Sequence, residues 1–117
     1  MLTVYGIKSC DTCRKARKYL KDNDIEHTFH DVRDDGLNIQ MLERWADRIS
    51  WETLLNKNSL TWRKIPDVDR GDMNRNKALA AMIDNPTLIK RPVFEHDDYI
   101  AVGFSEKRFR DFLQRMA

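Results

Sequence analysis

The sequence predicts an α/β fold in which a mixed four-stranded sheet carries an inserted helical subdomain. Strand-like runs flank a helical run at the start of the chain, and two strand-like runs followed by a helical run close it. The stretch between them has helical spacing of apolar residues. A strand–helix–strand unit of the length seen at the start forms a right-handed parallel crossover, and the later strands form a hairpin. Both parallel and antiparallel pairing are therefore expected.

The first part of the chain predicts a buried strand over residues 2–6 and a helix over residues 12–23. Cys13, Ala16 and Leu20 fall on one face of that helix. After a turn at Asn23 and Asp24, residues 25–31 alternate loosely, with Ile25, His27 and Phe29 on one face, which indicates a second strand.

The middle of the chain predicts a helical block. Apolar residues at helical spacing predict a helix near residues 39–49, and Ser50 is placed to cap a short helix over residues 51–55. Residues 56–72 are polar and predicted to be irregular, and residues 73–84 are helical up to Asn85 and Pro86. The three tryptophans are expected in the core of this block: Trp45, Trp51 and Trp62.

The last part predicts a hairpin of residues 93–95 and 99–103, then a helix capped by Ser105. Without the insert, the order of elements is that of a thioredoxin-like fold. We expect a core of about residues 1–36 and 88–117 and an insert of about residues 37–87. In such a fold a proline before the third strand lies against the reactive cysteine, and Pro92 has that place. The Arg91–Pro92 bond is accordingly predicted to be cis, a state that X-Pro bonds alone adopt readily.

Composition limits the possible functions. The 117 residues make one domain with 34% charged residues and a net charge of only +2, which gives no general argument for a nucleic acid or an anionic membrane as partner. No run approaches 18 apolar residues, and no secretory signal pattern starts the chain. We therefore expect a cytoplasmic protein, in which thiols stay reduced unless they take part in a reaction.

The two cysteines form a C-x-x-C motif, Cys10 and Cys13, between the first strand and the first helix. The first turn of a helix has free N–H groups and a partial positive charge, which lower the pKa of a thiol placed there. Lys8 and Arg14 add positive charge nearby. Such a motif indicates a redox function. For Cys13 two interpretations stay open, a resolving thiol or a small apolar packing residue.

A zinc site is the competing interpretation, because Cys10 and Cys13 are followed by His27 and His30. The histidine spacing is shorter than in zinc fingers. Residues three apart on a strand also point to opposite faces. We therefore predict no metal site and no bound cofactor.

Several segments resemble the arsenate reductase family, which includes ArsC, the Spx regulators and the YffB-type proteins. The resemblance rests on residues 6–12, 29–31, 51–57, 88–93 and 102–104, in this order, and looks closest to the YffB branch. It implies chemistry at Cys10. In arsenate reductases of this type, glutathione resolves an arsenate adduct on the cysteine, and arginines bind the anion. Arg14 and Arg91 match two of those arginines, whereas Asn56 and Gly103 stand at two other positions. Gly6 stands where the family has a histidine.

These observations predict a glutathione-linked thiol–disulfide oxidoreductase, with Cys10 as the thiolate nucleophile, Cys13 as the possible resolving thiol and Arg91 pairing with a carboxylate. The expected partners are glutathione, which acts as a co-substrate, another small thiol or disulfide, or a protein disulfide. Two alternatives remain, a redox-sensing regulator that binds the RNA polymerase alpha subunit, as in the Spx branch, and an arsenate reductase. Substrate binding is assigned to six further residues: Lys8, Thr12, Arg14, Asn56, Lys57 and Pro92.

Overall fold

The computed structural model describes residues 1–116 and divides them into two compact units. One unit comprises residues 1–36 and 91–116, and the other comprises Leu37–Lys90. In the described residues no helix is both long and apolar enough to cross a membrane.

The first unit is an α/β fold built on a four-stranded sheet. Its elements are β1 Leu2–Gly6, α1 Asp11–Asp22, β2 His27–Asp31, β3 Val93–His96, β4 Tyr99–Val102 and α7 Glu106–Met116. The strand order is β2-β1-β3-β4, in which β1 runs parallel to β2 and the other pairs are antiparallel. The predicted mixed sheet and thioredoxin-like arrangement are thus confirmed.

Helices α1 and α7 contribute to one hydrophobic core with the sheet. The core cluster consists of Leu2, Val4, Ala16, Leu20, Phe94, Phe109 and Phe112, all buried. The rings of Phe94 and Phe109 are 4.9 Å apart between centroids, the distance expected of a packed aromatic pair. Ser105 accepts a hydrogen bond from the Arg108 backbone N–H, as expected of the predicted helix cap.

Strand β2 begins two residues later than the sequence predicts. Asp24 has a φ of 53°, and the Ile25 N–H donates to the Leu20 carbonyl over 2.9 Å. This left-handed residue followed by a backward hydrogen bond is a common helix C-terminal motif. Ile25 therefore belongs to the C-terminal motif that follows α1, and the prediction that it starts the strand is wrong.

The second unit is helical. It contains α2 Ile39–Ile49, α3 Trp51–Leu54, α4 Leu60–Lys64, α5 Asp67–Gly71, α6 Arg75–Asp84 and a short 3₁₀ helix, Pro86–Leu88. Trp45 and Trp62 are buried in it and Trp51 is half-buried. Ser50 accepts from the Thr53 N–H and caps α3 as predicted. An isolated bridge joins Leu55, the residue after α3, to Ile89 near the end of this unit.

The prediction that residues 56–72 are irregular is wrong, because α4 and α5 lie there. The Ser59 hydroxyl accepts from the Trp62 N–H over 3.1 Å, which caps α4. Pro66 directly precedes α5, with its fixed φ suited to the start of a helix. Each helix has only five residues. Such short helices depend on their caps and neighbours and have no apolar period that sequence reasoning can detect.

Candidate active site

Cys10 lies at the N-terminus of α1, at the end of the loop that leaves β1. It is the residue immediately before the helix, and its carbonyl accepts the first helical hydrogen bond, from the Arg14 N–H, over 2.9 Å. Its own N–H donates to the Ile7 carbonyl over 3.0 Å and closes a turn. The half-buried Cys10 side chain is thus at the positive end of a 12-residue helix, as predicted.

The surroundings of Cys10 favour its thiolate. Partial burial alone would raise the pKa of Cys10, but hydrogen-bonding interactions with the Cys13 backbone N–H, the Arg91 side chain and the Cys13 thiol outweigh it. The net result is a pKa below the ordinary value of a cysteine. The positive charge of Arg91 acts in the same direction.

Cys13 has the opposite character. It lies in the first turn of α1, fully buried, and both cysteines are free. Burial raises the pKa of Cys13 to about 12, and the negative charge of the neighbouring Cys10 sulfur adds to this effect. An interaction with the Ile7 backbone N–H acts the other way but is outweighed. Cys13 is therefore much the less acidic of the two neighbouring thiols.

The space for the Cys13 sulfur is provided by Gly6, the last residue of β1. A Cβ atom at this position would lie 2.6 Å from the Cys13 Sγ, and 3.3 Å from both the Cys13 Cβ and the Phe29 ring. Real Cβ atoms do not approach other atoms as closely as 2.6 Å. Residue 6 must therefore be glycine while the Cys13 sulfur occupies this place.

Asp31 anchors the loop in front of Cys10, a role that the sequence analysis did not assign to it. Its carboxylate is 2% exposed and accepts from the backbone N–H groups of Lys8, Arg33 and Asp34 over 2.7–2.9 Å. Burial would raise the pKa of Asp31, but these bonds outweigh it and lower the pKa below its usual range. The sequence feature that could have indicated this role is an acidic residue at the carboxyl end of β2. The parallel strand β1, which leads to Cys10, ends at the same side of the sheet.

Arg91 and Pro92 approach the same site from the start of β3. The Arg91–Pro92 peptide is cis, which confirms the prediction. Pro92 is buried, and its carbonyl accepts from the Gly103 N–H over 2.9 Å. Gly103 has a φ of 76°, in the region where glycine is favoured. The half-buried Arg91 contributes the side chain that interacts with the Cys10 sulfur.

The two cations predicted near Cys10 are both paired with carboxylates. Lys8 Nζ is 3.1 Å from Asp34, and Arg14 pairs with Asp11, with all four side chains exposed. The hydrogen bond with Asp34 raises the pKa of Lys8. These pairs reduce the charge that Lys8 and Arg14 present to the thiolate, so Arg91 is the cation that acts directly on the sulfur.

Thr12 is half-buried in the first turn of α1, next to Cys13 in the chain. Asn56 and Lys57 lie in the helical unit. The Asn56 N–H donates to the Leu88 carbonyl over 2.7 Å, and the Lys57 ammonium lies 5.7 Å from the centroid of the Trp62 ring. Both residues have local contacts in their own unit, and their part in substrate binding stays a prediction.

Among residues 1–116, no group of three or more His, Cys, Asp and Glu side chains is arranged to hold a metal ion. The two histidines of the zinc hypothesis bind backbone carbonyls. His27 Nδ1 lies 2.8 Å from the Ile25 oxygen, and His30 Nε2 lies 2.6 Å from the Gly36 oxygen. Neither histidine joins the two cysteines in a ligand set within the part of the chain that the structure describes.

Comparison with known proteins gives consistent results. Residues 5–112 match the model of the ArsC family. A Haemophilus influenzae protein described only as uncharacterized is 44% identical over 94% of this chain and 96% of its own length. The global transcriptional regulator Spx of Staphylococcus epidermidis is 30% identical over 98% of this chain and 88% of its own length.

Among solved structures, the protein named YffB superposes with a TM-score of 0.89 at 35% identity, covering 97% of this chain and 99% of the YffB chain. Its similarity therefore extends over both units. The family match over residues 5–112 includes the segments that carry Cys10 and Arg91. Together with the family match, it supports the resemblance recognised from the motifs.

Proposed function

Because the chain belongs to the ArsC family and is YffB-like, we propose that it is a glutathione-linked thiol–disulfide oxidoreductase. The observation that carries the proposal is the pair of opposite pKa shifts at the N-terminus of α1, a lowered pKa at Cys10 and a raised one at Cys13. A thiolate beside a neutral thiol is what a two-step exchange requires, because the first group attacks while the second remains protonated.

In the first step the Cys10 thiolate attacks a disulfide. A bond forms between the Cys10 sulfur and one substrate sulfur, the substrate disulfide breaks, and the other half leaves as a thiolate. The Arg91 guanidinium interacts with the Cys10 sulfur. In this proposal it also holds an anionic group of the substrate, because its planar fork suits a carboxylate of glutathione. The backbone N–H groups of Thr12 and Cys13 are further donors in the first turn of α1.

In the second step Cys13 resolves the mixed disulfide. Once Cys10 is bonded to substrate, its sulfur no longer carries the negative charge that helps to raise the pKa of Cys13. Cys13 then loses its proton more readily and attacks the Cys10 sulfur, which releases the second substrate thiolate and leaves a Cys10–Cys13 disulfide. The substrate gains two electrons from the dithiol, and two molecules of glutathione return them to the protein.

The test is steady-state reduction of a glutathione mixed disulfide, coupled to glutathione reductase, with Cys10→Ser and Cys13→Ser as a matched pair. We expect turnover to be abolished in Cys10→Ser. Turnover that persists in Cys13→Ser would indicate a monothiol route, and its loss a dithiol route. Wild-type protein that shows no turnover with this or other disulfides would refute the proposal.

The second candidate function is a redox-sensing regulator that binds the RNA polymerase alpha subunit. It is favoured by the similarity to an Spx regulator over nearly the whole chain. In this case the Cys10–Cys13 disulfide is a switch and not a turnover intermediate. A pull-down of the alpha subunit with reduced and with oxidised protein tests it, and absence of binding in both states would exclude it.

Arsenate reduction is less well supported. Asn56 and Gly103 stand where the family has anion-binding arginines, and the φ of 76° at Gly103 disfavours a larger residue there. Only Arg14 and Arg91 remain of the arginine set, and Arg14 is paired with Asp11.

A further inference from the structure

A groove of about 500 Å³ lies beside α1 and is lined by basic residues. The lining residues are Arg14, Arg17, Lys18, Lys21 and His27. Four of the five come from α1, and the fifth begins β2, which is an edge strand of the sheet. The groove thus has cationic side chains along its length, and its first lining residue, Arg14 of α1, is about one helical turn after Cys10.

The contacts of these residues leave the groove with an excess of positive charge. Arg14 pairs with Asp11 and Lys18 with Asp22, which offsets two of the four cations. The Arg17 guanidinium is held 4.1 Å from the centroid of the Phe29 ring, a cation–π contact that orients the guanidinium without neutralising its charge. The Lys21 side chain is exposed.

We propose that this groove binds an acidic segment beside the attacked disulfide, so that the preferred substrates are protein disulfides flanked by Asp or Glu. The inference rests on the proposed thiol–disulfide function. A nucleic acid offers no disulfide for Cys10 to attack. In a protein substrate, by contrast, the residues next to the attacked cysteine must lie against the protein surface around Cys10. The groove on the same helix is a surface of suitable charge.

The geometry sets the position of the acidic residues. With a helical rise of 1.5 Å per residue, Arg14 lies about 6 Å and Lys21 about 16 Å from Cys10 along the axis of α1. An extended peptide advances about 3.3 Å per residue. Carboxylates about two to five residues from the attacked cysteine would therefore face the groove.

The experiment uses short peptides with one cysteine, each joined by a disulfide to the same chromophoric aryl thiol. Acidic peptides carry Asp two to five positions from the cysteine, before it in one pair and after it in the other, and their partners carry Asn instead. Cys10 attacks the peptide sulfur because the aryl thiolate is the better leaving group. One disulfide breaks, one forms, and the released aryl thiolate reports the rate without any added reductant.

For the reduced wild-type protein at low ionic strength, we expect at least one acidic peptide to react about fivefold faster than its Asn partner. The ratio should fall towards one in Arg17→Gln/Lys21→Gln and also decrease with added salt. The control variant, Lys107→Gln/Arg115→Gln, removes the same charge from α7 and should keep the wild-type ratio. Because Arg17 packs on Phe29, its replacement could also disturb that packing. Lys18→Gln/Lys21→Gln is therefore a second groove variant, which leaves the contact between Arg17 and Phe29 intact.

Each outcome decides one question. Equal rates for acidic and Asn peptides, with both reactions lost in Cys10→Ser, would overturn the inference and leave the proposed function intact. A preference that survives in both groove variants would also overturn it. A short single-stranded oligonucleotide that suppresses the preference at stoichiometric concentration would identify a nucleic-acid site instead. Failure of every peptide to react would contradict the proposed function itself.

Discussion

Replacing Gly6 with alanine tests how the structure accommodates two thiols at the end of β1. The new Cβ would lie 2.6 Å from the Cys13 Sγ, 0.8 Å closer than the 3.4 Å at which ordinary contact begins. Cys13 is fully buried in the first turn of α1, so its sulfur cannot move away without disturbing the packing of that turn. Overpacking of this kind typically costs about 1–3 kcal/mol, and we expect Gly6→Ala to lower the free energy of unfolding by that amount.

The same substitution in a Cys13→Ala background should cost much less. Without the sulfur, the remaining close contacts are two at 3.3 Å, only 0.1 Å short of ordinary contact. The double-mutant cycle should therefore give a coupling free energy of about 1–2 kcal/mol between residues 6 and 13. Urea denaturation of the four proteins measures it, provided that the dependence of the unfolding free energy on urea stays constant.

Gly71→Ala is the matched control. A Cβ at Gly71 meets no atom within 4 Å, so this change should leave stability unaltered or raise it by up to about 1 kcal/mol. If Gly6→Ala costs the same with and without the Cys13 sulfur, the steric argument is wrong.

Three further predictions concern the same site. Asp31→Asn should lower the free energy of unfolding at pH 7 by about 1–3 kcal/mol, because an amide N–H would face one of the three backbone donors. Because the pKa of Asp31 is lower in the folded than in the unfolded protein, the stabilisation by its carboxylate is complete above the unfolded-state pKa and is lost as pH falls through the folded-state pKa. A difference in unfolding free energy between wild type and Asp31→Asn that is the same at pH 7 and pH 3 would contradict this prediction. Arg91→Gln should raise the pKa of Cys10, seen in the ultraviolet absorbance of the thiolate, and an unchanged titration would exclude direct action of Arg91. Cys13→Ser should accumulate a mixed disulfide on Cys10, detectable by mass spectrometry, whereas no accumulation beyond wild type would show that Cys13 is not the resolving thiol.

The sequence predicted those parts of the fold that have a period or a motif. The apolar face of Cys13, Ala16 and Leu20 defined α1, and the order of strands and helices defined the sheet. Helices α4 and α5 were not predicted, because a helix of five residues is too short to show a periodic pattern of apolar residues and depends on its local caps. The start of β2 was misplaced because Ile25 bonds back to α1 through a left-handed Asp24.

The site was predictable where chemistry is local in sequence. The strand–cysteine–helix pattern placed Cys10 at the positive end of α1. Arg91 was assigned through the family resemblance and its position beside Pro92. The roles of Gly6 and Asp31 depend instead on contacts across the fold, with the sulfur of Cys13 and with the backbone of the loop before Cys10. Spacing along the chain reveals neither contact, and the sign of a role for Asp31 is limited to an acidic residue at the carboxyl end of β2.

The pH dependence of alkylation at each cysteine tests most directly the division of roles between Cys10 and Cys13. Protein is treated with limiting iodoacetamide across a range of pH, and peptide mapping by mass spectrometry gives separate rates for Cys10 and Cys13. We expect the alkylation midpoint of Cys10 to lie below that of a free cysteine thiol in an unfolded peptide, and Cys13 to stay unmodified until strongly alkaline pH. A Cys10 midpoint at or above the ordinary value, or faster modification of Cys13, would contradict the division of roles between attacking thiolate and resolving thiol.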